Sequence, residues 1–187
     1  MKKLLVLGAL LASLTVGAQT AAPAAPAAPA APAAPAAPAA PAATPAAPTV
    51  LPGYGPVITL EQAKKAMVAA EAEATKNNWA VAIFIVDSGG HMVMMQRLPN
   101  TQIASLDIAH GKATSANNFR RPTKALEDAV AGGGAGLRLL ALKNVTPLEG
   151  GELILQDGKI IGAIGVSGVL SGQDALVARA GAAAAVK

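Results

Sequence analysis

Two histidines, a run of methionines and a few scattered cations carry most of the chemistry open to this chain of 187 residues. His110 follows Ile103 and Leu106 at helical spacing, where an imidazole can act as metal ligand or general base, or be a hydrogen-bonded core residue. Thr114, four residues on, shares its face. His91 opens a strand after a glycine turn and is expected to be exposed. Met92, Met94 and Met95 could offer thioethers to copper(I). Alternation along a strand sends Met92 and Met94 to one face and Met95 to the other, so core packing is the expectation. With zero cysteines, thiol catalysis, thiolate metal sites and disulfides are excluded. The carboxylates are scattered, and no pair has a spacing that predicts general acid and base roles. Gly162 to Gly168 is glycine-rich ahead of a helix start, as in phosphate loops. It lacks the dinucleotide fingerprint and its later acid, so strand packing and a turn are expected. Ser167 has no nucleophile elbow around it, which argues against a serine hydrolase.

These residues must be positioned by a regular set of elements. Thr59-Leu60-Glu61-Gln62 has the form of a capping box, and Leu60, Ala63, Met67, Ala70 and Ala74 continue at helical spacing until Asn77-Asn78. Trp79 to Asp87 is apolar on both faces, as in a central strand covered on each side or in an oligomer. Asp87 beside Ser88-Gly89-Gly90 is expected to organise a turn through bonds to backbone amides, and His91 to Arg97 returns antiparallel. Ile103 to Asn118 reads as a helix with Ile103, Leu106, His110 and Ala113 on one face. Thr123 can cap a shorter helix through Val130, and Gly132 to Gly136 reads as a loop. Glu152 to Gln156 and Lys159 to Val166 flank Asp157-Gly158, a hairpin signal. Ser171 to Asp174 can form a second capping box, opening a helix to about Ala185. Hairpins separated by helices imply an α+β single domain, an antiparallel sheet of about four or five strands with helices packed against it.

The start of the chain reads differently. Lys2 and Lys3, the apolar run Leu4 to Val16 and the small pair Gly17-Ala18 make residues 1–18 a signal peptide by pattern. The run is shorter than the roughly 20 apolar residues a membrane span needs, so no transmembrane segment is expected after cleavage. Residues 19–52 repeat Ala-Ala-Pro, and proline every third residue forbids a continuous helix; an extended or disordered linker is expected, either a stalk or a tail. Export to a periplasm or the outside follows. Loss of Lys2 and Lys3 takes the formal charge from +4 to +2, and with no basic cluster interleaved with aromatics, nucleic acid is not an expected partner. Residues 53–187 can hold one core. Their aromatics number one Trp, one Tyr and two Phe, so any cofactor pocket is expected to be aliphatic.

Two blocks carry a resemblance. Val86-Asp87-Ser88-Gly89-Gly90-His91, Arg97, Ala104-Ser105-Leu106-Asp107-Ile108-Ala109 and Lys112-Ala113 fall in one order and spacing. Asp157 to Gly168 followed by Gln173-Asp174 falls in another. Together they resemble the GlcG/HbpS-like family of small haem-binding proteins and cover nearly all of the globular part. The resemblance implies an α+β fold, assembly into a homo-oligomer, and haem or a related tetrapyrrole as ligand. The family's helix carries Lys-Ala-x-Thr-Ala, whose threonine is associated with haem; here the run is Lys112-Ala113-Thr114-Ser115-Ala116, with Ser115 in the threonine's place. Arg97 matches the arginine after the family's second strand. With Arg120, Arg121 and Lys112 it is a candidate partner for propionates, since guanidinium grips carboxylate in a fork. Many members follow that arginine with Met-Asp-Gly-Ala, whereas this chain has Leu98-Pro99-Asn100-Thr101.

Helix geometry separates two possible sites. Five residues at 100° each put Ser115 about 140° around the helix from His110, so one flat ligand cannot easily touch both. The family-like site would use Ala104, Ile108 and Ser115. A site with His110 as iron ligand would use Ile103, Leu106, His110 and Thr114. The function implied is reversible haem binding for scavenging, buffering or sensing. The alternatives are a haem-degrading or 2-hydroxy-acid or corrinoid-pathway enzyme, which this chain supplies with no evident acid-base pair, and an oligomeric partner-binding module without a cofactor.

Overall fold

The computed structural model describes residues 50–187; the expected signal peptide and nearly all of the expected linker lie outside them. The first helix, α1, runs Leu60–Lys76 and opens as the sequence predicts. Thr59 Oγ1 accepts from the Gln62 amide at 3.2 Å, and Gln62 Oε1 accepts from the Thr59 amide at 3.0 Å. Asn78, at φ 57°, turns the chain out of it. Strands β1 (Ala82–Asp87) and β2 (Met92–Arg97) form the first hairpin. Its turn is organised by Asp87 as expected, with Oδ1 accepting from the amides of Gly89 (2.8 Å) and His91 (2.9 Å). Helices α2 (Ser105–Phe119) and α3 (Lys124–Ala131) follow, then a 3-10 helix at Gly134–Ala141. Strands β3 (Gly151–Gln156) and β4 (Lys159–Ser167) close around Asp157 (φ 51°) and Gly158 (φ 72°), the paired left-handed conformations of a type I′ turn. Helix α4, Ser171–Ala184, ends the order.

The strands form one antiparallel sheet in the order β2-β1-β4-β3, with helices on both faces. Alternation along β1 divides the core. Val81, Ile83 and Ile85 join Ala66, Met67, Ala70, Val177 and Ala178 under α1 and α4, with Trp79 packed half-buried against them. Ala82, Phe84 and Val86 face Ala109, Ala113 and Ala116 of α2. The apolar character of β1 on both sides thus reflects a central strand with two covered faces.

Several local expectations change. Helix α2 starts at Ser105, and its buried residues are Ser105, Ala109, Lys112, Ala113, Ser115, Ala116 and Asn117; of the expected face Ala113 is buried and Leu106 packs partly against the core, whereas Ile103 and His110 are exposed. Ile103 is 79% exposed. Apart from Lys112 and Asn117 these are small residues, because α2 lies directly on the backbone of β4, where a Cβ on Gly165 would collide with Ala109 O and Ala113 N. The glycines of β4 therefore serve close packing. Thr123 takes the cap position of α3, its carbonyl accepting from the Leu126 and Glu127 amides at 3.0 Å, but its hydroxyl makes no cap bond and accepts from the Gly151 amide at 2.8 Å instead. At α4 the cap position is Leu170, one residue before Ser171, so of the expected box only the glutamine half forms, with Gln173 Oε1 accepting from the Leu170 amide at 3.3 Å. The expected loop at Gly132–Gly136 becomes the entry to the 3-10 helix. Of the methionines, Met67 is core and Met94 packs partly against it, while Met92 and Met95 are 60% and 47% exposed on the edge strand β2.

Candidate functional site

On its outward side α2 meets the segment that follows the 3-10 helix. Between them opens a cleft of about 510 Å³, lined by Asp107, His110, Gly111, Thr114 and Asn118 of α2, Asn144 and Thr146 opposite, and Gly90 of the β1–β2 turn. The lining is polar and glycine-rich. The expectation of an aliphatic pocket fails because the aliphatic residues of α2 and β1 are spent on the sheet.

His110 stands in this cleft. Its ring centroid lies 5.3 Å from that of Phe84 at an interplanar tilt of 35°, so the phenylalanine under α2 supports one face of the imidazole. The side chain is exposed and has no hydrogen-bond partner among the described residues. It is thus an accessible imidazole rather than a satisfied core histidine. Thr114 stands one turn further on, its hydroxyl donating back to His110 O (3.0 Å) or Gly111 O (3.1 Å).

Ser115 lies elsewhere. It is fully buried, and its Oγ accepts from the Thr146 amide at 2.8 Å. Beside it, a Cβ on Gly111 would collide with Thr146 Oγ1. A serine and a glycine of α2 therefore seat the opposite wall. The site expected on Ala104, Ile108 and Ser115 has no cavity at Ser115, since that part of the helix rests on the protein.

The proposed cations divide as well. Lys112 is only 1% exposed. Its Nζ donates to Val166 O at 3.0 Å and Asp174 Oδ2 at 2.8 Å, and Asp174 Oδ1 accepts from the Val169 amide at 3.2 Å. Burial pushes the Asp174 carboxyl up, opposed chiefly by the Lys112 ammonium. Lys112 is thus a core strut and not a free cation for a ligand. Arg97 ends β2, at the opposite end of that strand from Gly90, with Nη2 donating to Thr101 O at 2.9 Å. Arg121, half-buried past the end of α2, donates from Nε to Phe119 O at 3.1 Å. Neither arginine lines the cleft.

Of the expected site residues the cleft brings together His110 and Thr114, and adds Asp107, Gly111, Asn118, Asn144 and Thr146. The helical members were open to discovery, since 107, 110, 114 and 118 repeat at one-turn spacing. Asn144 and Thr146 carry no local signal, for nothing near them in sequence says which helix they meet.

The family model described as haem degrading protein HbpS-like matches residues 58–183. Protein GlcG of Escherichia coli (strain K12) is 42% identical over 112 residues, covering 59% of this chain and 82% of that protein. The crystal structure of HbpS aligns with a TM-score of 0.64 at 31% identity, covering 69% of this chain and 90% of that one. The crystal structure of a PduOC:heme complex aligns with a TM-score of 0.64 at 29% identity, covering 68% and 94%.

Proposed function

The chain belongs to the HbpS-like family, and from that premise we propose that it binds haem reversibly in the α2 cleft, as an exported oligomer that scavenges, buffers or helps to sense the ligand. The observation that carries the reading is His110, an imidazole without a hydrogen-bond partner among the described residues, standing in a cleft of about 510 Å³ against Phe84.

The His110 imidazole fits the iron, while the rest of the lining is polar and, among the described residues, holds no Lys or Arg for the propionates. Haem iron takes an axial imidazole and, with a position left open, can exchange small ligands or electrons. His110 would hold the iron, with Phe84 packed beside its ring. The side-chain amides of Asn118 and Asn144 and the hydroxyl of Thr146 could donate to the propionates, while Asp107 would disfavour carboxylates at its end of the cleft. That polarity would favour propionates at the Asn118 end of the cleft. A single histidine on an open face suits binding that can be reversed. Export rests on the leader pattern of residues 1–18. Oligomerisation is supported by leucines left in water on one segment, with Leu137, Leu140, Leu142 and Leu148 at 50%, 62%, 50% and 41% exposure. A haem-degrading reading would ask more of the cleft, a defined acid-base arrangement and access for a reductant, and binding is the reading adopted.

Titration of the full chain with haemin tests it. The wild type is expected to give a saturable, stoichiometric Soret change, and His110→Ala a complex at least about tenfold weaker with altered band position, as for loss of a ligating group. A featureless titration of the wild type would sink the reading, and an unaltered His110→Ala complex would remove the iron from this histidine.

A further inference from the structure

Resting on the haem reading, we propose that Ser115 is a positioning residue of the cleft. Its buried hydroxyl, together with the bare Cα of Gly111, sets how far the Asn144–Thr146 wall stands from His110. Direct contact with a ligand in the cleft is ruled out by place, since Ser115 is fully buried and does not line it. The wall needs such a tether. From Gly134 to Glu149 no residue is buried, so apolar burial does little to fix this stretch. It enters through Gly133 at φ 69° and ψ −155°, a conformation essentially restricted to glycine. It is anchored at its far end by the Glu149 amide on Glu127 Oε2 (2.6 Å) and Glu149 on Arg179 (2.7 Å). Between these ends the Thr146 amide on Ser115 Oγ, at 2.8 Å, is the one side-chain hydrogen bond that ties the wall to α2 among the described residues. Gly111 makes the approach possible, because any side chain there would meet Thr146 Oγ1. Slot width and hydroxyl are thereby coupled.

The test uses the full chain and two readouts. In the apoprotein, amide hydrogen exchange at Thr146 should be slow, quicken in Ser115→Ala and slow again in Ser115→Thr, which keeps the hydroxyl. In haemin titrations Ser115→Ala should bind about tenfold more weakly, the scale of one lost hydrogen bond, with the Soret position of the saturated complex unchanged. Gly111→Ala, which displaces the wall with Ser115 intact, should weaken binding likewise. Fast exchange at Thr146 in the wild type, or full haemin affinity in Ser115→Ala despite a freed amide, would overturn the proposal. So would a changed Soret position in Ser115→Ala, the mark of a direct ligand. Absence of any Soret change in the wild type is a different failure, that of haem binding itself, and the positioning role falls with it.

Discussion

Lys112 shows how far a residue's type can mislead. As a lysine inside a motif shared with haem-binding proteins it reads as a cation offered to a carboxylate ligand. It does meet a carboxylate, but that of Asp174, 62 positions later and equally buried. Nothing local announces the pairing. With the partner present, the ammonium and carboxylate offset each other's desolvation; with one removed, an unpaired charge stays in the core. Lys112→Met should therefore lower unfolding free energy by about 3–5 kcal/mol in a denaturant titration, and Lys112→Met with Asp174→Leu by much less than the single changes combined. A loss below about 1 kcal/mol in Lys112→Met would mean that the pair is not buried as described. His110 errs in the opposite sense. Spacing places it with Ile103, Leu106 and Ala113, yet only Ala113 is buried and Leu106 partly so, while Ile103 and His110 stand in water.

At the level of elements, legibility follows locality. The Thr59 box, the Asp87 turn and the Asp157-Gly158 hairpin are written in four or five adjacent residues, and each forms where the sequence puts it. The buried face of α2 is not local, because it depends on what the helix lies upon. β4 offers Gly165 at the crossing, so the helix sinks until alanines and Ser105 touch the sheet, and its larger aliphatic residues are left at the margin. A rule that ranks faces by hydrophobic bulk then catches Ala113 and part of Leu106 but wrongly takes in Ile103 and His110. Gly165→Ala is expected to cost about 1–3 kcal/mol through overpacking against Ala109 and Ala113. It should also weaken haemin binding, because α2 carries His110; a variant of wild-type stability would show that α2 can shift without cost.

For the whole molecule, the antiparallel α+β architecture was readable from the order of hairpins and helices, whereas the pairing of β1 with β4, which closes the sheet, is a long-range match that no turn encodes. The assembly was implied only by resemblance. The exposed leucines between residues 137 and 148 now give it a physical motive, and sedimentation velocity should find a multiple of the chain mass that Leu140→Ser and Leu142→Ser together reduce. A wild type that sediments as a monomer at micromolar concentration would count against it.

Trp79 enters at this scale too. It is the only tryptophan in the chain, and it is fixed beneath α1 and α4, on the opposite face of the sheet from α2 and His110. The protein therefore carries one indole per chain, with the whole sheet between it and the cleft. Were a porphyrin seated in the cleft, energy passed to it from that indole within the same chain would report a single separation, an optical ruler already built into the fold.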